Sequence, residues 1–403
     1  MNLNSAQVEN IVRQVISEMN GSTSSSSSNA KIPSTAKVAT LVEPKNIVVK
    51  EYPIPAIGDN DILVKVEGCG VCGTDVHEWK GDPFGICPVT LGHEGTGEVV
   101  AVGKNIKVDT AGRPLKVGDK IVTSVSSCGE CEICRLHPAN TNLCDSQGVF
   151  GLIKDDGTNH FNGWFGEYLL ITGKGVTYFV VNDLNLKERM LLELAAVCVH
   201  ALKQGNTTGL INFGSTVLLQ GCGPVGLMMI SVLRAAGVNH IIAVDGSAKR
   251  LEMARKLGAK TTINFTEENA NTIEKRVAIV KSKTNGVGAD FAYQCTGVPA
   301  AAADIYQYIR RGGGLCEMGF FVNNGEYSIN PHIAMCNKEI HIVGSWDYSA
   351  DDYPTTIAFL KQAREMNIPI EELITHSFPL DQLNEAMEVN IAQKGIKVCF
   401  VAE

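Results

Sequence analysis

Residues 217–226 read Val217-Leu218-Leu219-Gln220-Gly221-Cys222-Gly223-Pro224-Val225-Gly226. The apolar run before the first glycine predicts a short buried strand, and residues 225–236 predict a helix behind the turn. A strand turning into a helix through Gly-x-Gly-x-x-Gly points backbone N–H groups at the helix N-terminus, where a pyrophosphate can sit. Gly221, Gly223 and Gly226 allow the tight turn and the close backbone approach, with Pro224 and Val225 between them. Asp245 closes the next predicted strand, 241–244, at the position where a carboxylate accepts from the ribose 2′- and 3′-hydroxyls. That carboxylate would repel a 2′-phosphate, so the pattern favours NAD over NADP. Lys249 and Arg250 stand close by and leave the strictness of that choice open. A glycine turn that binds nothing is the plain alternative, and the complete strand–turn–helix–carboxylate unit argues against it.

Beyond this unit, a helix over 249–257 and further strand and helix alternation to about residue 343 describe βαβ units in a doubly wound parallel sheet over 194–343. Residues 36–193 differ. They are rich in Gly, Val and Thr, and 47–52, 61–66 and 98–102 read as strands of a mostly β domain. From 344 to 403 the mixed character returns, and this segment is expected to complete that β-rich domain. The predicted class is α/β.

The 403 residues carry 35 basic and 43 acidic side chains, a formal charge of −8 with no basic block, which argues against nucleic acid as a partner. At 44% hydrophobic and 19% charged, the chain can bury a sizeable core. Its longest nearly apolar stretch, 217–233, is broken by Gly and Pro and falls short of the roughly 20 residues that span a bilayer, so no membrane role is expected. The N-terminus lacks a basic region followed by an apolar core, so secretion is not expected. Thirteen cysteines then indicate metal ligands and buried thiols in a reducing, cytoplasmic setting.

Four of those cysteines form the tightest local signal, Cys128-x2-Cys131-x2-Cys134-x9-Cys144. Such thiols can close a tetrahedral sulfur cage, and zinc fits it in a reducing compartment. With no vacancy, this site is structural, and its metal holds a lobe that has few apolar side chains of its own. An iron–sulfur cluster and four unpaired thiols are the alternatives. A second group joins Cys72-Gly73-Thr74-Asp75-Val76-His77 to Gly92-His93-Glu94. Cys72, His93 and a carboxylate would leave a coordination position open, as catalytic zinc requires. Taken alone, a buried thiol and a core histidine explain the same residues. In company with a dinucleotide unit, they supply the Lewis acid and hydride acceptor that reversible alcohol oxidation needs.

Together these motifs make residues 36–403 resemble the zinc-dependent medium-chain alcohol dehydrogenases, in the sorbitol and threonine dehydrogenase branch. The resemblance implies a GroES-like catalytic domain, a Rossmann domain, an active site in the cleft between them, and a homodimer or homotetramer. It implies that Cys72 and His93 are catalytic zinc ligands and that Glu94 or Glu193 supplies the carboxylate, directly or through water. A helix-terminal surface carboxylate is the other reading of Glu193. It further implies that Thr74 hands on the substrate proton, that His77 relays it toward solvent, and that Asp75 fixes a zinc-bound histidine. An exposed loop histidine is the plain alternative for His77. Cys128, Cys131, Cys134 and Cys144 match the structural zinc lobe, with a last interval two residues longer than usual. Trp79, Phe161, Trp164 and Trp346 are candidates for the substrate cleft. The implied reaction joins NAD(H) to a small alcohol, diol or polyol; an amino or hydroxy acid substrate and a non-catalytic scaffold component are the other readings.

Residues 1–20 carry Leu3, Val8, Ile11, Val12, Val15, Ile16 and Met19 at helical spacing, and 21–35 include a Ser/Thr/Gly tract that reads as a tether. This pair resembles the encapsulation peptides that carry enzymes into bacterial microcompartments, which implies a shell protein as partner. Glu9 and Glu18, against a single Arg13, argue against a mitochondrial transit peptide. Packing of the helix on its own enzyme is the other reading.

Overall fold

The computed structural model describes residues 32–403; the predicted helix of 1–20 and most of the 21–35 tether lie outside the described residues. Thr35, placed in the tether from sequence, already begins the first strand. Among the described residues of the first half, short runs of buried Val, Leu and Ile, punctuated by turns, form eight strands. They are β1 (Thr35–Glu43), β2 (Asn46–Pro53), β3 (Ile62–Val71), β4 (Val89–Thr90), β5 (Glu94–Val102), β6 (Lys120–Ser124), β7 (Tyr168–Ile171) and β8 (Thr177–Val180). β1 pairs with β2 and β4, while β3, β5, β6 and β8 run in sequence through a larger sheet, with β7 also on β3.

One register brings two separate segments of this sheet together. β3 and β5 are antiparallel with Gly70 opposite Glu94, so the chain leaving β3 at Cys72 arrives beside the chain entering β5 at His93. Glycine at 70 leaves room for the Glu94 side chain, whose Oε2 would lie 1.9 Å from a Cβ there. Under this sheet sits a core of aliphatic side chains with Trp79, Trp164 and Phe165, all buried. Trp79 Nε1 donates to Asn384 Oδ1 (3.0 Å) and Trp164 Nε1 to Thr123 Oγ1 (2.9 Å), so each indole brings its polar edge to a partner.

The second half forms a parallel sheet of β9 (Thr216–Gln220), β10 (His240–Asp245), β11 (Thr261–Asn264), β12 (Ala289–Gln294), β13 (Ile309–Glu317) and β14 (His341–Gly344). Their order is β11-β10-β9-β12-β13-β14, the doubly wound arrangement that reverses between its first and fourth strands. Near-continuous apolar strands such as Val217–Leu219 are buried on both faces because helices cover both, which is why they do not alternate. The last strands, β15 (Ile374–Phe378) and β16 (Lys397–Val401), return to the larger sheet of the β-rich half, with β16 antiparallel to β3. The helix Leu192–Asn206 runs unbroken across residues 193 and 194 and packs on the Pro224–Ala235 and Asp352–Glu365 helices. Tyr353 Oη, from the last of these, donates to the Thr123 carbonyl of β6 (2.8 Å) and ties the helical half to the β-rich half.

Candidate active site

Cys72 caps the helix Gly73–Gly81, and the β3–β5 register brings His93 and Glu94 to it, so that one donor atom from each lies within 4.8 Å of the others. Asp75 organises the group. Its Oδ2 accepts from Cys72 N (2.8 Å), and its Oδ1 accepts from Gly92 N (3.1 Å) and lies 3.4 Å from His93 Nδ1. With Nδ1 turned to this carboxylate, the Nε2 edge of His93 remains for a metal. Burial opposes charge on the imidazole, but Asp75 and Cys72 outweigh it and hold its pKa well above the ordinary value. A pocket that so favours positive charge, built from thiol, imidazole and carboxylate, fits a zinc ion.

Two carboxylates compete for the remaining ligand role. Glu94 pairs through Oε2 with Lys397, a buried lysine whose Nζ also donates to the Val71 carbonyl (3.1 Å). Lys397 carries no motif, and only the pairing of β16 with β3 brings it here. Glu193, in the first turn of the Leu192–Asn206 helix, stands outside the 4.8 Å group. Burial and then the charge of Glu94 push its carboxyl pKa up to about 8.

Thr74 and His77 lie one turn apart on the Gly73–Gly81 helix, which puts them on one face. Thr74 Oγ1 is 3.7 Å from Cys72 Sγ. Burial, then Lys80, lowers the pKa of His77, and the ring stands edge-on to Phe321 with centroids 5.3 Å apart. Phe321 and Trp346 wall a cavity of about 500 Å³ together with Phe320, Tyr327 and Glu317. Trp346 thus lines this cavity beside Phe321. Trp79, Phe161 and Trp164 do not: all three are core side chains, and Trp164 packs directly over Gly95.

The cysteine lobe closes around a point. Cys144 Sγ lies 3.5 Å from Cys128 Sγ and 3.9 Å from Cys131 Sγ, and Cys128 Sγ lies 4.0 Å from Cys134 Sγ. A single metal with sulfur at about 2.3 Å has tetrahedral edges of about 3.8 Å, so these separations suit one zinc. They are too long for a disulfide and too short for a cubane cluster, whose iron ions spread their cysteines apart. Backbone N–H groups of Glu130 and Cys131 point at Cys128 Sγ and hold its thiol pKa below the ordinary value, while those of Cys128 and Ser146 point at Cys144 Sγ.

At the sheet's reversal, Gly221 adopts φ +97, and a Cβ on Gly226 would lie 1.9 Å from the Gly221 carbonyl, so turn and helix can meet only through glycine. Asp245 braces the turn, accepting from Cys222 N (2.7 Å) and Ser247 N (2.8 Å). Gly221, Gly223, Asp245 and Arg250 line a cleft of about 740 Å³. Phe265 and Arg276 line it too and were not foreseen, since neither belongs to the glycine motif; Arg276 is paired with Asp304 at 2.8 Å. Pro224 and Val225 form the first turn of the helix behind.

A family model described as the alcohol dehydrogenase GroES-like domain matches residues 58–179, and one described as zinc-binding dehydrogenase matches residues 224–362. The chain is 32% identical over 363 residues to a sorbitol dehydrogenase of Bacillus subtilis, covering 89% of this chain and 94% of that one. It is also 32% identical over 365 residues to an L-threonine 3-dehydrogenase of Caldanaerobacter subterraneus, covering 88% and 95%. The crystal structure of an alcohol dehydrogenase from Thermotoga maritima matches with a TM-score of 0.84 at 30% identity, over 92% of this chain and all of that one.

Proposed function

Because the chain belongs to the zinc-dependent medium-chain alcohol dehydrogenases, we propose that it transfers hydride between NAD(H) and a small alcohol, diol or polyol and the matching aldehyde or ketone. The observation that carries this reading is the convergence of Cys72, His93 and Glu94, with the Thr74 hydroxyl 3.7 Å from Cys72 Sγ and His77 one turn further along the same helix. When bound, zinc supplies Lewis acidity at the substrate hydroxyl, and NAD supplies the hydride acceptor. Cys72, His93 and either Glu94 or Glu193 hold the metal, and Asp75 fixes the His93 ring through Nδ1. Thr74 receives the hydroxyl proton, and His77, kept neutral by its lowered pKa, carries it toward solvent. The glycine turn seats the pyrophosphate, and Asp245 accepts from the adenosine ribose. Cys128, Cys131, Cys134 and Cys144 hold a second zinc that keeps their lobe folded.

Metal analysis combined with NAD-linked assays on short alcohols, diols, polyols, L-threonine and hydroxy acids tests the reading. Two zincs per chain with turnover of an alcohol, diol or polyol support it. A metal-free chain with no dehydrogenase activity would restore the scaffold reading. We extend the proposal to place: the amphipathic pattern of residues 1–20 supports docking on a microcompartment shell protein, where carbonyl reduction would regenerate NAD. Deleting residues 1–20 should leave solution kinetics unchanged and abolish co-purification with a shell protein. Lost activity instead would show the segment packing on its own enzyme.

A further inference from the structure

Between Cys134 and Cys144 the cysteine lobe buries one polar side chain, Asn142, which is 4% exposed. Its amide is engaged on both sides. Nδ2 donates to the Trp346 carbonyl (2.8 Å) and stands 3.5 Å from His200 Nε2. Oδ1 accepts from the Ser349 hydroxyl (2.9 Å), whose oxygen also lies 3.1 Å from the Ala139 carbonyl. A buried amide is destabilising unless its donors and acceptor are met, so these contacts fix Asn142 together with the segment it meets. That segment, Ser345–Ser349, is neither helix nor strand. Asp352 holds its far end, accepting from Ser349 N (2.9 Å) through the same Oδ2 that meets His200 Nδ1 at 2.7 Å.

Trp346 carries this hold to the cavity beside the relay helix. Its indole is half exposed and walls the space of about 500 Å³ with Phe320, Phe321 and Tyr327. Phe321 joins that space to the helix Gly73–Gly81. Its Cζ lies 3.1 Å from the place a Cβ on Gly73 would take, and its ring stands edge-on to His77 with centroids 5.3 Å apart. An alcohol whose carbinol meets Thr74 and His77 can therefore lay its chain along Phe321 toward Trp346. Aromatic walls reward apolar surface, and each methylene buried against them tightens binding by about threefold to fourfold. Asn142 grips this wall at a backbone carbonyl, whereas the indole on the same residue faces the cavity.

We propose that Asn142 is a positioning residue: through the Trp346 carbonyl it sets the aromatic wall of this cavity, so the cysteine lobe governs how the chain of an alcohol is seated without acting on the reacting carbon. The inference rests on the alcohol dehydrogenase reading above and gives the lobe a task beyond its own folding.

Propan-2-ol and hexan-2-ol share the CH3–CHOH– unit and differ in chain length, so they separate seating from chemistry on the zinc-loaded enzyme with NAD. The wild type should show a KM for hexan-2-ol at least about tenfold below that for propan-2-ol. Asn142→Ala should raise the hexan-2-ol KM by about 5- to 10-fold and keep kcat on both alcohols and the propan-2-ol KM within about twofold. Trp346→Ala should raise the hexan-2-ol KM as well, and adding Asn142→Ala to it should raise it no further, because both changes act on one wall. Ser349→Ala, which removes the hydroxyl that Asn142 accepts from, should shift the hexan-2-ol KM in the same direction and keeps the test open should Asn142→Ala fail to fold. A second readout needs no turnover. Of the three tryptophans, Trp79 and Trp164 are buried, so acrylamide quenching reports chiefly on Trp346 and should rise in Asn142→Ala. A wild type that seats both alcohols alike, an equal fall in kcat on both in Asn142→Ala, or a full second rise in the double variant would overturn the inference while leaving a dehydrogenase in place. No turnover of any alcohol would remove the parent reading, and unchanged quenching would then remove the hold of the lobe on Trp346 too.

Discussion

Asp75 and His93 meet with Oδ1 3.4 Å from Nδ1, and the same buried carboxylate accepts from the backbone N–H groups of Cys72 and Gly92. One side chain thus stands against the imidazole and ties together the two backbone segments that carry Cys72 and His93. Asp75→Asn should leave the fold intact and weaken retention of one zinc by about 10- to 100-fold, the usual loss when such a supporting carboxylate is removed. Zinc content after titration with a chelator checks this, and unchanged retention would make Asp75 a helix-capping residue only.

The cysteine lobe makes a separate claim. Cys131→Ser should remove one zinc and cost about 2 kcal/mol or more of stability, visible as a fall in Tm of about 4–8 °C. Turnover at low temperature should persist, because the lobe is distant in role from the reacting carbon. A variant that kept both zincs would contradict the tetrahedral assignment.

Lys397 and Glu94 are both buried and paired. Lys397→Met should cost about 3–5 kcal/mol by leaving the Glu94 charge uncompensated, and adding Glu94→Gln should recover much of that loss. A double-mutant cycle by denaturant unfolding measures the coupling, and additive losses would mean that the two charges do not compensate each other.

Burial, then Lys80, holds His77 below its ordinary 6.5, so the neutral ring that a proton relay needs persists into mildly acid solution. The acid limb of kcat that depends on His77 should therefore fall below pH 6.5. His77→Gln should remove that limb, lower kcat by about tenfold and respond to added imidazole buffer. An unaltered pH profile in the variant would place the relay elsewhere.

Asp245 supports the turn and faces the cofactor cleft. Asp245→Ser should shift the ratio of kcat/KM for NAD over NADP by about 10- to 100-fold toward NADP, with Arg250 in the same cleft to meet a 2′-phosphate. Steady-state kinetics with both cofactors measure this ratio.

What could be read from the chain before folding depends on distance along it. The glycine turn and the four cysteines are each contained in one short segment, and their spacing already implies their geometry. Cys72 and His93 form a group only through the Gly70–Glu94 register, so in the sequence they read as ligands only in company with the dinucleotide unit and the four cysteines, while Lys397 joins through β16 and carries no sequence signal. The aromatic residues failed for another reason. Trp79, Phe161 and Trp164 look like Trp346 in sequence, because the side of the fold on which an indole lands is decided by partners such as Asn384 and Thr123, remote in the chain.

The central claim is that Cys72 and His93 hold a catalytic zinc beside the NAD site. The most direct measurement is zinc content, NADH binding and NAD-linked alcohol turnover of Cys72→Ser against the wild type. The account predicts two zincs falling to one, turnover abolished and NADH affinity kept. A Cys72→Ser protein that retained both zincs and normal turnover would contradict it.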